Sequence, residues 1–69
     1  MDIEEIGKTL KFRREFLHLS QQDLAQMSEV NNRTVHVVEA GTGNPSLETI
    51  VKLAEILGLE IVVQVKKKD

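Results

Sequence analysis

The segment from Leu19 to Glu39 constrains the fold more than any other part of this chain, because it predicts two short helices separated by a tight break. The Ser20 hydroxyl can accept a hydrogen bond from the backbone N–H of Asp23, whose carboxylate can reach back to the N–H of Ser20. After a break at residues 28–30, Asn31 is a strong N-cap for a second helix. The apolar residues that we expect to face inward are Leu24, Ala25, Val35 and Val38.

The second of these helices offers polar side chains between its apolar ones. Two helices joined by a turn of three or four residues, the second carrying hydrogen-bonding groups, fit the major groove of a DNA duplex. Asn31 and Asn32 can bond adenine, Arg33 can bond guanine, His36 can donate to guanine or contact phosphate, and Val37 can touch a thymine methyl. The alternative is an ordinary solvated helix face. The sequence leaves open which residue contacts which base.

Periodicity and capping residues place two further helices. Ile3, Ile6, Leu10 and Leu17 recur at helical spacing, and a turn-rich loop at residues 41–45 separates the third helix from a fourth that Ser46 caps and Gly58 ends. The predicted helices span residues 3–17, 20–27, 31–40 and 46–57.

The segment after Gly58 predicts a β-strand. Residues 59–65 are β-branched and alternating, and no other segment of the chain has a strand pattern, so we expect a partner strand from a second copy. The alternation predicts that one face covers the helices while Val62 lies on the other; the covering residues are Leu59, Ile61, Val63 and Val65. The alternatives are an extension of the fourth helix or a frayed tail. The expected domains are residues 1–58 and a dimerisation strand with a charged tail at 59–69.

Composition narrows the possible function classes. Aromatic residues make up 3% of the chain, so the core must be aliphatic, and the absence of cysteine excludes disulfides and thiolate metal sites. The two histidines lack a carboxylate at metal-ligand spacing and no glycine-rich phosphate loop is present, so we expect no enzyme, metal or cofactor. No apolar run is long enough for a membrane span, which predicts a soluble cytoplasmic protein. A net charge of −2 neither favours nor excludes a nucleic-acid partner.

The chain resembles the lambda-repressor and Cro superfamily, the XRE-like helix-turn-helix family, from about Ile6 to Leu59. The matching residues within the two-helix motif are Gln21, Ala25, Thr34, Val35, Val38 and Glu39, and those outside it are Ile6, Gly7, Leu10, Arg14, Asn44 to Leu47, Leu53, Ala54 and Leu57 to Leu59. The resemblance implies an all-α lambda-repressor-like domain of four or five short helices. Two departures are Glu29 and His18, which stand where the family commonly has glycine, and a left-handed backbone there costs about 1 kcal/mol or more.

The resemblance also implies roles for particular residues. Arg14 and Glu39 match the family's ion pair between helix one and the end of helix three. Four residues match positions that contact DNA phosphates: Gln21, Thr34, Asn44 and Lys52. For Gln21 the alternative is simple polarity at a helix start, and for Lys52 it is an ordinary surface residue.

A function follows from the resemblance as an expectation. It implies a sequence-specific DNA-binding repressor that acts as a homodimer on a palindromic operator. A short repressor domain with a C-terminal strand is similar to the HipB-type antitoxins, which implies a HipA-like kinase toxin as partner. The alternatives are a regulator without a protein partner and a protein-interaction module that does not bind DNA.

Overall fold

Four α-helices make up the regular structure of the chain. A computed structural model describes residues 2–67, in which the helices are α1 (Ile3–Phe16), α2 (Gln21–Ser28), α3 (Asn32–Ala40) and α4 (Leu47–Ile56), with no strand. The prediction of an all-α domain is confirmed, and each observed helix end lies within a residue or so of its predicted position. None of the helices in this described part is long and apolar enough to cross a membrane.

A side-chain cap begins every helix, which explains why the starts were predictable. Ser20 and Asp23 form the expected reciprocal box: the Ser20 hydroxyl accepts from the Asp23 N–H and the Asp23 carboxylate accepts from the Ser20 N–H, each at 2.9 Å. The hydrogen bond from the Ser20 N–H lowers the pKa of Asp23 below its ordinary value. The caps of the other helices are Asp2, Asn31 and Ser46.

The core is aliphatic, as the composition requires. Its buried residues come from all four helices and are Leu10, Leu24, Ala25, Val35, Val38, Ile50, Leu53, Ala54 and Leu57. Helix α3 packs against α1 and α2, and α4 packs against α2. The crossing of α1 over α3 requires glycine, because a Cβ on Gly7 would lie far inside van der Waals contact with the carbonyl oxygen of Val38.

Two non-glycine residues adopt the left-handed conformation that their positions suggested. Glu29, the C-cap of α2, has φ 58° and ψ 34°, and His18, just beyond α1, has φ 58°. The Glu29 N–H closes the end of α2 by donating to the Gln26 carbonyl at 3.4 Å. The turn between α2 and α3 therefore adopts the left-handed backbone conformation that glycine usually provides, and the Cβ of Glu29 makes that conformation strained.

The segment after α4 differs from the expected strand. Leu59 is half-buried against the core and its N–H donates to the Ala54 carbonyl at 2.9 Å, but Val63 and Val65 are 95% and 96% exposed. In the single chain Val63 and Val65 therefore do not cover the helices, and their burial in a dimer stays a prediction. Val62, expected on the opposite face, lines a groove instead. A backbone that pairs with no neighbour is not held to strict alternation of its side chains.

Pairing with a second copy stays a prediction, as do the two proposed domains. The last two residues of the predicted charged tail, 68 and 69, lie outside the described residues.

Candidate nucleic-acid interface

The exposed face of α3 carries most of the predicted base-contacting residues. Asn32, Arg33 and His36 are all exposed. Asn32 and Arg33 lie four and three positions before His36, which makes both of them its neighbours on the helix surface. The structure therefore brings these three side chains to one continuous polar surface, which we call the α3 face.

The remaining two residues predicted to contact bases, Asn31 and Val37, have fewer atoms available for such contacts. Asn31 caps α3, and its side-chain oxygen accepts from the Arg33 N–H at 2.8 Å, which leaves its NH₂ group and one lone pair of the oxygen for a base. Val37 is half-buried, and the loop after α3 covers it: a Cβ at Gly43 would approach its Cγ1 to 2.9 Å. Bidentate contact from Asn31 to adenine would have to share this oxygen with the cap, and it stays a prediction.

A buried ion pair anchors the end of α3 to α1. The Arg14 Nε and Nη2 donate to Oε2 and Oε1 of Glu39 at 2.7 and 3.0 Å, and Arg14 Nη1 donates to the Leu19 carbonyl at 2.7 Å. The two side chains are only 10% and 2% exposed. Hydrogen bonding to the carboxylate raises the pKa of Arg14 against the opposing effect of burial, so the guanidinium stays charged.

The ion pair extends through Gln21 to the α3 face. Gln21 Nε2 donates to Glu39 Oε1 at 3.0 Å, and Gln21 Oε1 lies 3.3 Å from His36 Nδ1. A network of polar contacts thus runs from Arg14 through Glu39 and Gln21 to His36, and its last contact is a hydrogen bond when His36 Nδ1 carries the proton. The sequence did not predict this network of contacts. The spacing of His36 and Glu39, three residues apart on one side of α3, does indicate that one neighbouring side chain could contact both.

This bonding changes the expectation for Gln21. Its side chain is half-buried and one N–H of its amide donates to Glu39, so a phosphate contact through the side chain would have to use the second N–H and stays a prediction. Its backbone N–H at the start of α2 is a second group that a phosphate could approach.

The other proposed phosphate contacts are separate from this network. Thr34 is half-buried on α3, while Asn44 is exposed in the loop between α3 and α4. Lys52 is exposed on α4, flanked on its own helix surface by Glu48 and Glu55 at four residues before and three after. Those carboxylates weaken the positive potential that a phosphate would meet at Lys52.

The two-helix motif carries a net negative charge. Arg33 is the one basic residue in α2 and α3, against Asp23 at the start of α2, Glu29 in the turn and Glu39 near the end of α3. Of these three acids, only Glu39 is paired with a cation in the part of the chain that the structure describes, and that cation is Arg14 of α1. Attraction to a phosphate backbone must therefore be modest at this surface, and backbone N–H groups at helix starts have to supply much of any phosphate binding. Within residues 2–67 no cluster of three or more metal-binding side chains is present.

Comparison with known proteins gives one consistent result. The sequence profile of the helix-turn-helix family matches residues 10–64. A protein from Methanocaldococcus jannaschii named as an HTH-type transcriptional regulator is 36% identical over 52 residues, which is 75% of this chain and 79% of that protein. A protein from Methanococcus vannielii named as an HTH-type transcriptional regulatory protein is 35% identical over 63 residues, 91% of this chain. The chain spans about a fifth of that longer relative, 19% of its length.

A solved structure shares the fold. It is the restriction-modification controller protein C.AhdI from Aeromonas hydrophila, with a TM-score of 0.78 and 38% sequence identity. The match covers 84% of this chain and 88% of the controller protein.

Proposed function

The chain belongs to the helix-turn-helix family of DNA-binding transcriptional regulators, and on that premise we propose that it is a sequence-specific repressor that binds a two-fold symmetric operator as a homodimer. The observation that carries the proposal is the α3 face, where three exposed hydrogen-bonding side chains stand on a helix that a buried ion pair holds in place. A rigid helix of this kind can present its side chains to base edges without losing much conformational entropy. A DNA-binding regulator of this kind would act in the cytoplasm.

The test begins with selection of a binding site from a library of random duplexes. The affinity for the selected duplex is then compared with that for a scrambled one, over a series of salt concentrations. Arg33→Ala should weaken binding to the selected duplex by about 1–3 kcal/mol and leave the scrambled duplex nearly unaffected, since a base contact is lost. Equal loss on both duplexes would show that Arg33 contacts phosphate and not a base.

Lys52→Ala is the matched comparison on a different helix. If Lys52 contacts a phosphate, its removal should weaken both duplexes alike and reduce the slope of log affinity against log salt by about 1. An unchanged slope would make Lys52 an ordinary surface residue, as its two flanking glutamates favour.

The proposed dimer rests on an apolar groove. It has a volume of about 370 Å³ and is bounded by α1, α4 and the segment after α4; residues from these three parts include Ile6, Leu47, Ile50, Ile61 and Val62. Leu47 is 69% exposed at its edge. A second copy that paired its residues 60–65 here would bury this surface and satisfy the unpaired backbone at once. Two α3 helices set about 34 Å apart by such a dimer would match one turn of DNA.

Deleting residues 60–69 tests the dimer without removing Leu59, which the core needs. The truncated chain should be a folded monomer with weakened operator binding. Val62→Pro should act similarly because it removes a backbone donor, while Val62→Thr keeps the donor and should remain a dimer. If light scattering still reports a dimer after truncation, the interface lies elsewhere, and the exposed pair Phe12 and Phe16 becomes the candidate surface.

The sense of regulation is part of the proposal. Repression is what the family resemblance implies, and a reporter gene placed behind the selected site should lose expression when the protein is present. The antitoxin role would require in addition a toxin protein that binds this chain. The two relatives described above are named as transcriptional regulators and the solved structure as a restriction-modification controller protein, and none is named as an antitoxin, so the proposal does not extend to a toxin partner.

A further inference from the structure

We propose that His36 is a specificity-determining residue that accepts a hydrogen bond from the amino group of adenine or cytosine, because Gln21 fixes the tautomer of its ring. The inference rests on the proposed DNA binding of the α3 face. It assigns to His36 a preference opposite to the donation to guanine that its residue type alone suggests.

The first step is the orientation of the Gln21 amide. Glu39 is ionised opposite Arg14, and an ionised carboxylate can only accept hydrogen bonds. The group of Gln21 that lies 3.0 Å from Glu39 Oε1 must therefore be the NH₂ group. Buried charge on Glu39 thus removes the ambiguity that a side-chain amide usually has between its oxygen and its nitrogen.

The second step is the tautomer of His36. Because the Gln21 NH₂ faces Glu39, the amide oxygen faces His36 Nδ1, at 3.3 Å. A carbonyl oxygen can only accept, so this contact is a hydrogen bond when Nδ1 carries the proton. In the neutral ring the other nitrogen, Nε2, is then an acceptor.

The third step is what Nε2 meets in a major groove. His36 is exposed, and with Nδ1 held toward Gln21 the opposite edge of the ring is left for solvent or for a base. In the major groove adenine N6 and cytosine N4 are donors, while guanine O6 and thymine O4 are acceptors. An acceptor at Nε2 therefore favours adenine or cytosine on the strand it contacts over guanine or thymine.

The neighbouring residues sharpen this assignment. Arg33, one turn before His36, has donors only and suits guanine. The α3 face therefore presents a donor and an acceptor side by side, and the two residues would select different bases. Loss of the Gln21 contact should remove the selectivity of His36 without affecting that of Arg33.

The tautomer can be measured in the free protein. Nitrogen-15 NMR at about pH 8.5, where an ordinary imidazole is neutral, distinguishes the protonated ring nitrogen from the bare one. We expect Nδ1 to carry the proton of His36 in the wild type and to lose this preference in Gln21→Met, which keeps the length of the side chain but lacks the amide. Gln22→Met on the adjacent exposed residue is the control and should change nothing. A wild-type ring protonated at Nε2 would overturn the proposal.

The base preference is measured with the duplex obtained from the random library. The position that responds to His36→Ala is replaced in turn by each of the four base pairs. The wild type should bind adenine or cytosine there about 2- to 10-fold more tightly than guanine or thymine, as expected for a single hydrogen bond. His36→Lys, which can only donate, should reverse the order, and Gln21→Met should abolish it.

The failures of the two proposals are distinguishable. If the protein selects a duplex but prefers guanine or thymine at that position, or if no position responds to His36→Ala, this inference is wrong and DNA binding stands. If the folded protein selects no duplex from the library, the proposed function fails and the inference fails with it. Thermal melting of Gln21→Met shows whether a lost preference comes from unfolding.

Discussion

Removal of one partner of the Arg14–Glu39 pair should be among the most damaging substitutions in this chain. In Arg14→Met the Glu39 carboxylate, 2% exposed, would keep only Gln21 as a donor, and the Leu19 carbonyl would lose the guanidinium as well. Stranding a buried charge costs about 3–5 kcal/mol. A domain of this size has a total stability of roughly 3–10 kcal/mol. The melting temperature should therefore fall by roughly 12–40 °C, at about 4–8 °C per kcal/mol.

The assay is thermal and urea unfolding followed by far-UV circular dichroism, on the two single variants and on the double variant Arg14→Met/Glu39→Met. Removing both charges avoids the stranded one, so the double variant should be more stable than either single variant. The exposed pair Lys8 and Glu4, 3.9 Å apart with side chains 76% and 70% exposed, is the matched control and should contribute about 0–1 kcal/mol. Additive effects at Arg14 and Glu39 would refute the reasoning, because they would mean that the two charges do not compensate each other.

Two further predictions concern the turn and the cap of α2. Glu29→Gly should raise the free energy of unfolding in urea by about 0.5–1 kcal/mol. The substitution relieves about 1–2 kcal/mol of left-handed strain in the folded state, and the greater entropy of the unfolded chain offsets about 0.4–1 kcal/mol of that gain. A destabilised variant would mean that the Glu29 side chain makes a favourable contact. Asp23→Asn should lower stability at neutral pH, because the pKa of Asp23 in the folded state lies below its ordinary value of 3.8. The ionised carboxylate therefore stabilises the fold above pH 3.8, and this stabilisation is lost as the pH falls through the folded-state pKa. The difference between the wild type and Asp23→Asn should therefore disappear in strong acid, and a difference that is constant across pH would contradict the assigned cause.

The fold could be predicted from sequence because its local signals agree with one another. Ser20, Asn31 and Ser46 each mark a helix start with a side chain that can cap it, and the apolar periodicity between these caps identifies the buried faces. The left-handed turn at Glu29 was predictable for a different reason, since the family places glycine there.

The candidate interface was only partly predictable. Gln21 stands at the first position of α2, where polarity is common, and its two partners belong to another helix. Whether a side chain at that position reaches phosphate or protein depends on how α2 and α3 cross, which is a property of tertiary packing and not of local sequence. The tautomer of His36 depends on the same crossing of α2 and α3 and therefore cannot be inferred from the sequence alone.

The C-terminal segment shows a second limit. Alternation identified residues 59–65 as apolar and strand-like, but the faces of a strand are defined only when a neighbouring strand fixes its backbone. In the single chain Val63 and Val65 are almost fully exposed. The sequence pattern therefore indicates which apolar side chains a pair of chains could bury, and the structure of the single chain shows that Val63 and Val65 are exposed without a partner strand.

Placement of α3 in the major groove is the central claim, and base-analogue substitution in the selected duplex tests it most directly. Each purine is replaced in turn by its 7-deaza analogue, which lacks the major-groove acceptor N7, and each adenine separately by its 3-deaza analogue, which lacks the minor-groove acceptor N3. If the α3 face contacts base edges as proposed, 7-deaza substitution at one or more purines in each half-site should weaken binding by about 1–3 kcal/mol, and Arg33→Ala should remove that sensitivity at its own position. Binding that is insensitive to every 7-deaza substitution but sensitive to 3-deazaadenine would place the protein in the minor groove and contradict the account.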